Sequence, residues 1–320
     1  MKRVLVLAAA VLGLFASNLA LANTVKVTPL GSHDGEFCRL DRALIFEDPD
    51  GTRILYDAGR TVAGSDDPRL GKIDAILVSH VHGDHVGDKH ITAVNEGSCA
   101  KPEFKISALP DSNTVKIAVA KEADIITGSE MPKFFAKQLA LAGGDAAKSR
   151  LVRFGAMTSK GGVQITTVPA AHSNGLAPGF LRGDFAEHLA DAGVTAYVGP
   201  PTGYILKFSN GLVVYLSGDT GMTAEQKEVV GAHYQPDLAV MNIGGTFTTG
   251  PTEAAYVINE MVKPNSVIAS HANEPATKNG KVLDNTRTAA FTNASNVPVH
   301  IPLSGKTMEF DADGQCKNGC

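Results

Sequence analysis

The segment that decides the fold of this chain is Ile76–Gly87, which reads Ile-Leu-Val-Ser-His-Val-His-Gly-Asp-His-Val-Gly. An apolar strand pattern leads into His80 and His82, and both imidazoles lie on the same side if the chain stays extended between them. The glycine after them permits a tight turn, so that Asp84 and His85 follow closely. Neutral imidazole is a common ligand of borderline metals. The segment therefore predicts a metal site rather than a polar surface loop.

Three further polar residues lie directly after apolar strand patterns, as this segment does. They are His172 after Val163–Val168, Asp219 in the turn that follows Leu212–Leu216, and His271 after Val267–Ala269. Strand ends are rigid supports, and metal ligands placed on them can hold a fixed geometry. We expect these residues to join the first group at one edge of a sheet.

The run His80-Val81-His82-Gly83-Asp84-His85 matches the H-x-H-x-D-H motif of the metallo-β-lactamase fold superfamily. With the three later residues included, the chain resembles that superfamily over nearly all of residues 23–320. The resemblance implies an α/β fold, an αββα sandwich of two mixed β-sheets flanked by helices. Its ligands would lie on loops along one edge.

The resemblance also implies roles for individual residues. One metal would be held by His80, His82 and His172, and a second by Asp84, His85 and His271, with Asp219 bridging the two. Asp84 would also be the catalytic residue, taking part in proton transfer, and Asp57, near the end of an early strand, would orient the histidine segment. Two divalent metal ions are thus expected, with zinc first and manganese or iron as alternatives. Such a pair can activate one water as hydroxide.

The first 22 residues have the pattern of a secretory signal peptide. Lys2 and Arg3 precede an apolar run over 4–16, and Ala20-Leu21-Ala22 ends the segment. The run is too short for a membrane span, which needs about 20 apolar residues. We predict cleavage after Ala22, a periplasmic or secreted protein, and a single hydrolase domain over 23–320 without a membrane span.

Four cysteines become informative if the chain is exported, because disulfides form in oxidising compartments. They are Cys38, Cys99, Cys316 and Cys320, and four cysteines allow three pairings. A Cys316–Cys320 pair would close a small local loop, whereas a Cys38–Cys99 pair would enclose the histidine segment. The residues alone leave the pairing open.

Composition restricts the partners. The chain has 320 residues, a net charge of −4 and an isoelectric point near 6.2. A mildly acidic chain has no global electrostatic footprint for nucleic acid, so we expect a small-molecule substrate and no nucleic-acid partner. The oligomeric state is left open.

Short strands separated by Gly, Asp and Pro dominate the chain, and turn residues predict hairpins at 48–51 and 210–211. We predict helices over 132–141, 223–230 and 252–262, a strand over 115–119, and long loops over 86–114 and 173–200. Among the remaining histidines, we expect His33 in a surface loop and His300 in a structural role. The others are expected to be solvated: His90, His188 and His233.

The superfamily hydrolyses lactams, thioesters, lactones, phosphodiesters, phosphonates and sulfates, so its fold does not define the substrate. The turn Ser217–Gly221 resembles the branch that contains tRNA-processing nucleases and sugar-phosphate lactonases, and the acidic balance and predicted export disfavour a tRNA nuclease. The run Asn242–Pro251 is similar to the lactonase-like metal-dependent hydrolases, although Thr246 stands where those commonly carry a histidine. We predict an exported dinuclear hydrolase of a small ester, lactone or phosphodiester. The alternatives are a secreted β-lactamase-type hydrolase and an iron-dependent redox member, although His82 stands where the diiron flavin-linked relatives carry glutamate.

Overall fold

The computed structural model describes residues 23–320, and the predicted signal peptide over 1–22 lies outside the described residues. Fifteen strands form two large sheets. In chain order they are β1 (Val25–Leu30), β2 (Ala43–Glu47), β3 (Arg53–Tyr56), β4 (Ala75–Leu77), β5 (Asp124–Thr127), β6 (Ser149–Leu151), β7 (Met157–Lys160), β8 (Val163–Pro169), β9 (Thr202–Lys207), β10 (Val213–Leu216), β11 (Leu238–Asn242), β12 (Ser266–Ser270), β13 (Val299–His300), β14 (Met308–Phe310) and β15 (Cys316–Asn318).

The first sheet has the order β6-β5-β4-β3-β2-β1-β14-β15, and the second runs from β7 to β13 in sequence order. Both sheets are mixed. In the first, β3, β4, β5 and β6 are parallel neighbours and the other pairs are antiparallel. In the second, β10 to β13 are parallel and the earlier pairs antiparallel. Parallel neighbours end at the same edge of a sheet, so β3 and β4 on one side and β10 to β12 on the other deliver their following loops together.

Seven helices and several short elements complete the described residues 23–320. The helices are α1 (Gly83–Val86), α2 (Asn113–Lys121), α3 (Met131–Leu141), α4 (Asp184–Ala192), α5 (Gln226–Tyr234, wound with the wider turns of a π-helix), α6 (Pro251–Tyr256, continued with wider turns over Val257–Val262) and α7 (Arg287–Ala294). Four two-residue strand pairs are Lys89–His90 with Ile106–Ser107, Gly97–Ser98 with Lys101–Pro102, Gly175–Leu176 with Ala196–Tyr197, and Thr277–Lys278 with Lys281–Val282. Single 3₁₀ turns are formed by Ala146–Lys148, Pro178–Phe180 and Gly245–Phe247. Among residues 23–320, no helix combines the length and apolar character that a bilayer crossing requires.

The side chains of the central strands alternate between a central core and an outer one. In β2, Leu44 and Phe46 face the core between the sheets, whereas Ile45 packs toward the helices. The side chains of β10 alternate in the same way: Leu216 packs in the core between the sheets, and Tyr215 packs toward the helices outside the second sheet. Three buried clusters therefore separate four layers, and the predicted αββα sandwich is confirmed.

The sequence-based element predictions are confirmed at both hairpins and at α3, and two others are wrong. Residues 115–119 lie in the helix α2, whose start is capped because Ser112 Oγ accepts a hydrogen bond from Val115 N at 3.1 Å. Val115 and Ala118, three residues apart, are both buried on the core face of that helix. The cap and this spacing outweigh the strand propensity of the valines. The predicted loop over 173–200 also contains a helix, α4.

Candidate metal centre

The loops that follow β4, β8, β10 and β12 bring the predicted ligands together between the two sheets. Contacts across the sandwich hold these loops. The buried hydroxyl of Tyr204 on the second sheet donates to Val78 O on the first at 2.7 Å, and Thr202 N donates to Ser79 O at 2.8 Å. Because these bonds lie immediately before His80, they set where the histidine segment leaves β4.

The Asp219 turn approaches this segment closely, and a glycine allows it. Gly218 has a φ of 61°, and a Cβ there would lie 2.9 Å from Thr202 O and 3.1 Å from Ser79 Cβ. A side chain at this position would therefore be strained both in its backbone and in its contacts. The turn is fastened from the other side by Asn242, whose Nδ2 donates to Thr220 O at 2.9 Å.

The imidazoles and carboxylates form two groups of three. The ligand atoms within each group lie within 4.8 Å of one another: His80 with His82 and His172, and Asp84 with His85 and His271. A third such group contains His80, His85 and Asp219, and so joins a member of each. These are all seven of the predicted ligands, and the structure brings every one of them to the same place.

Asp219 lies at the centre of this cluster. Its Oδ2 atom is 2.9 Å from His271 Nε2 and 3.4 Å from His85 Nε2, on one side. On the other side, it is 3.8 Å from His172 Nε2 and 3.9 Å from His80 Nε2. One carboxylate oxygen thus faces both groups, which is the position that a bridging ligand requires.

Two buried atoms show that the cluster suits a cation. Within residues 23–320, His85 Nε2 and His271 Nε2 form no hydrogen bond of acceptable geometry, although Asp219 Oδ2 lies 3.4 Å and 2.9 Å from them and Asp84 Oδ2 lies 3.7 Å from each. A buried polar atom left unsatisfied costs free energy, and a metal ion among these nitrogens and oxygens would satisfy both. Nitrogen with carboxylate donors suits zinc, manganese or iron.

The electrostatics of four histidines favour the form that binds metal. Burial lowers the pKa of His80, with the charge of His85 adding to the effect, and burial likewise lowers the pKa of His82 and His172. His271 also has a lowered pKa, through burial and then through Arg42. These four imidazoles are therefore neutral near pH 7, and neutral imidazole is the ligand.

His85 behaves differently because three carboxylates surround it. Burial lowers its pKa, but Asp219, Asp57 and Asp84 outweigh that effect and raise the pKa of His85 to about 10. The same cluster lowers the pKa of Asp219 through His271 and His85, against the effect of burial. The carboxylates thus concentrate negative charge that a divalent cation would balance.

Asp57 makes the contacts that its predicted orienting role requires. Its carboxylate accepts hydrogen bonds from Ser79 N at 2.8 Å and Ser79 Oγ at 2.7 Å, and from His85 Nδ1 at 2.8 Å. The bond to His85 leaves Nε2 as the free nitrogen. Asp57 itself has a φ of 42°, a conformation that is uncommon outside glycine and occurs often at functional sites.

Several polar residues of the site gave no signal in the sequence. The buried Arg42 donates to Asp84 Oδ2 at 3.1 Å and to Asn273 Oδ1 at 2.6 Å. Asn174 accepts from Val81 N at 3.0 Å and holds the backbone between the first two histidines. Asn273 and Asn174 each lie two residues after a predicted histidine ligand, which is the only local hint, and Arg42 has none.

The other histidines lie away from the cluster, and one prediction among them is wrong. His90, expected to be solvated, is 7% exposed and its Nδ1 donates to Ile91 O at 2.8 Å, because the short strand that carries it packs under the loop around Gly64. His188 and His233 are exposed, as expected. His300 packs against Phe310.

The four cysteines form two disulfides, Cys38–Cys99 and Cys316–Cys320. The sequence left three pairings open, and this one includes the pair that encloses the histidine segment. Cys38 is buried beside the mouth of the cluster, whereas Cys320 is exposed at the end of the chain. The Cys38–Cys99 disulfide is therefore the one that lies near the candidate metal centre.

Comparison with known proteins assigns the family. A model of the beta-lactamase superfamily domain matches residues 41–271, a range that contains all seven clustered residues. The chain belongs to the β-lactamase superfamily. A relative from Polynucleobacter asymbioticus, a UPF0173 metal-dependent hydrolase, is 29% identical over 269 residues, which cover 82% of this chain and 81% of that one. The protein is thus a metal-dependent hydrolase that requires divalent metal.

Solved structures extend the likeness at the level of the fold. Igni18, a novel metallo hydrolase from Ignicoccus hospitalis, has a TM-score of 0.57 and 22% identity, covering 90% of this chain and 99% of that one. CmlA, a diiron β-hydroxylase from Streptomyces venezuelae, has a TM-score of 0.53 and 12% identity, over 90% of this chain and 54% of that one. Both share the metallo-β-lactamase fold with this superfamily member.

Proposed function

We propose that this superfamily member is an exported dinuclear hydrolase that cleaves a small ester, lactone or phosphodiester, with zinc as the expected metal. The observation that carries the proposal is the pair of three-residue groups with Asp219 between them. Six ligands and one shared carboxylate match the number of ligands that two ions require. A single ion would require fewer.

The chain's own residues would divide the work. His80, His82 and His172 would hold one ion, Asp84, His85 and His271 the other, and Asp219 would contact both. When bound, the pair of ions supplies an activated water and polarises the group under attack. Asp84 lines the adjacent pocket, where its carboxylate can accept or deliver a proton, and Arg42 fixes its orientation.

Export is supported by the leader pattern over 1–22 and by the use of all four cysteines in disulfides. Fractionation of cells that express the full chain tests it. The protein should be released with the periplasm and begin at Asn23, and a cytoplasmic chain that starts at Met1 would contradict export.

The proposed centre is tested on the mature chain, Asn23–Cys320, by metal analysis and a substrate panel of nitrocefin, homoserine lactones, p-nitrophenyl phosphodiesters and aryl sulfates. We expect two ions per chain and hydrolysis of a lactone or a phosphodiester. His82→Ala should lose metal and reduce the rate by more than about 100-fold, since even residues that only support ligands cost 10–100-fold. His188→Ala, an exposed histidine on α4, is the matched control and should change neither.

Other outcomes would assign other functions. Hydrolysis of nitrocefin alone would favour a β-lactamase-type enzyme, and stoichiometric iron with oxygen uptake would favour a redox role. Full metal content and full activity in His82→Ala would show that the proposed centre is wrong.

A further inference from the structure

The pocket beside the metal cluster is lined by several arginines, although the protein as a whole is acidic. It has a volume of about 590 Å³, and it opens onto His82, Asp84, His172, Asp219 and His271. Three arginines also line it: Arg39, Arg60 and Arg287. The only carboxylates among the lining residues are Asp84 and Asp219, and both already face histidines of the cluster.

The three arginines differ in how far other residues neutralise them. Arg60 is paired with Asp88 through two contacts, at 2.6 Å and 3.0 Å. Arg287 forms a longer ion pair with Glu274, at 3.7 Å, which is beyond hydrogen-bond distance. Arg39 is exposed, and its guanidinium forms no ion pair or hydrogen bond with any residue of 23–320. Arg39 and Arg287 therefore have donors to offer to a ligand.

Arg39 stands on a segment that is held in place. Its neighbour Cys38 is joined to Cys99, and the Arg39 N–H donates to Cys99 O at 3.1 Å. Leu40, which also lines the pocket, has a φ of 72°. An aliphatic side chain rarely adopts this backbone conformation, and it persists only where the surroundings enforce it. The arginine is thus presented to the pocket by a constrained turn.

Arg287 is held from the opposite side. It opens α7, and its Nη1 donates to Ala272 O at 3.1 Å, one residue after the ligand His271. Gly245 makes room for it, since a Cβ there would come within 3.0 Å of Nε. The guanidinium is therefore tied to the same loop as a metal ligand, and its side chain is still 38% exposed.

An apolar surface completes the pocket. Phe247 lines it and is 67% exposed, and Leu40 lines it beside Arg39. A large exposed phenylalanine in a pocket wall offers contact area to the apolar part of a ligand.

We infer that Arg39 and Arg287 form a subsite for an oxyanion of the substrate, a carboxylate, phosphate or sulfonate remote from the bond that is cleaved, while Phe247 and Leu40 contact its apolar part. This inference rests on the proposed function of the same centre. Guanidinium groups bind such anions with charge-assisted hydrogen bonds. The substrate is thus an anionic, partly apolar molecule rather than a neutral ester.

The test uses metal-loaded mature protein and two esters with one leaving group: mono-p-nitrophenyl glutarate and its methyl ester, which lacks the charge. We expect the anionic ester to have the higher kcat/KM. Arg39→Gln and Arg287→Gln should each reduce that preference by about ten- to a hundred-fold, mainly through KM, because each removes a charged hydrogen bond. Arg150→Gln, at an exposed arginine on β6, is the control and should leave it unchanged. An unchanged preference in both pocket variants overturns the inference.

A binding measurement separates this inference from the proposed hydrolysis. Calorimetric titration with benzenesulfonate, an aromatic anion that is a weak metal ligand, needs no turnover. Binding that is lost in Arg39→Gln and Arg287→Gln supports the subsite even if neither ester is cleaved. Absence of binding to the unchanged protein, or equal binding in the variants, overturns it.

Discussion

A single carboxylate, that of Asp57, connects the first sheet to the histidine segment. It lies just after β3 and accepts from the backbone and hydroxyl of Ser79 and from the ring of His85. Every oxygen contact of this carboxylate is with a donor. An amide in its place would have to turn one N–H group toward a donor, so the change tests the hydrogen bonds without changing the size of the side chain.

Asp57→Asn is therefore expected to lower metal affinity by about 10–100-fold, because the ring of His85 loses its orientation. Asparagine tolerates the positive φ of this position, so the backbone should be preserved. Metal retained during dialysis against graded chelator measures the effect. Asp66→Asn, at an exposed loop aspartate, is the control, and equal retention in both variants would contradict the role given to Asp57.

At the scale of elements, the turn between β1 and β2 presents Arg39 to the pocket and is organised by the buried Asp41. This carboxylate accepts from Ser32 N at 3.0 Å and from Cys38 N at 2.8 Å, and so ties the two ends of the turn together. Burial raises the pKa of Asp41 to about 6, even though these bonds and Arg42 lower it. The folded protein therefore holds a proton here that the unfolded chain releases near its ordinary value of about 4.

This difference predicts a pH dependence of stability. Between about pH 4 and pH 6 the folded state binds more protons at Asp41 than the unfolded state, so the free energy of unfolding falls as the pH rises. The difference of about two between the folded and unfolded pKa of Asp41 corresponds to on the order of 3 kcal/mol of stability, and this contribution is fully lost above pH 6. Urea unfolding across this pH range should show the fall in the free energy of unfolding for the unchanged protein and not for Asp41→Asn. Asp34→Asn, in the same turn, should retain the slope, and parallel profiles for all three proteins would refute the assignment.

At the scale of the whole molecule, the candidate metal centre lies where the two sheets meet. One set of ligands follows β4 of the first sheet, and the others follow β8, β10 and β12 of the second. A bound ion therefore links loops of both halves of the sandwich, and it binds the folded state alone because the unfolded chain does not assemble these loops.

Removal of metal should accordingly lower the melting temperature. An ion present at about 1,000 times its Kd adds about 4 kcal/mol to the free energy of unfolding, which corresponds to a shift of several degrees. Calorimetric scans with and without chelator measure the shift, and His82→Ala should lose much of it. Identical scans with and without chelator would exclude a linking role for the metal.

The architecture and the clustering of the candidate ligands were predictable because their patterns are local. A strand that ends in His-x-His-x-Asp-His places side chains by the period of the strand and the turn that follows, and hairpin residues such as Asn210-Gly211 act over a few positions. The strand prediction over 115–119 is wrong because the valines of α2 favour strands, whereas the cap at Ser112 favours the helix. The prediction of a solvated His90 is wrong because the burial of this side chain depends on a distant loop.

Short-range periodicity and residue type are enough to predict the layered fold and the imidazole and carboxylate chemistry of the candidate ligands. The surroundings of the centre depend on how distant segments pack. Arg39 and Arg42 lie in the turn between β1 and β2, Arg60 follows β3 and Arg287 opens α7, and none of them lies in a recognisable pattern. They meet because these three segments lie at the same edge of two packed sheets, so the charge of the pocket is a property of the packing and not of any one stretch of chain.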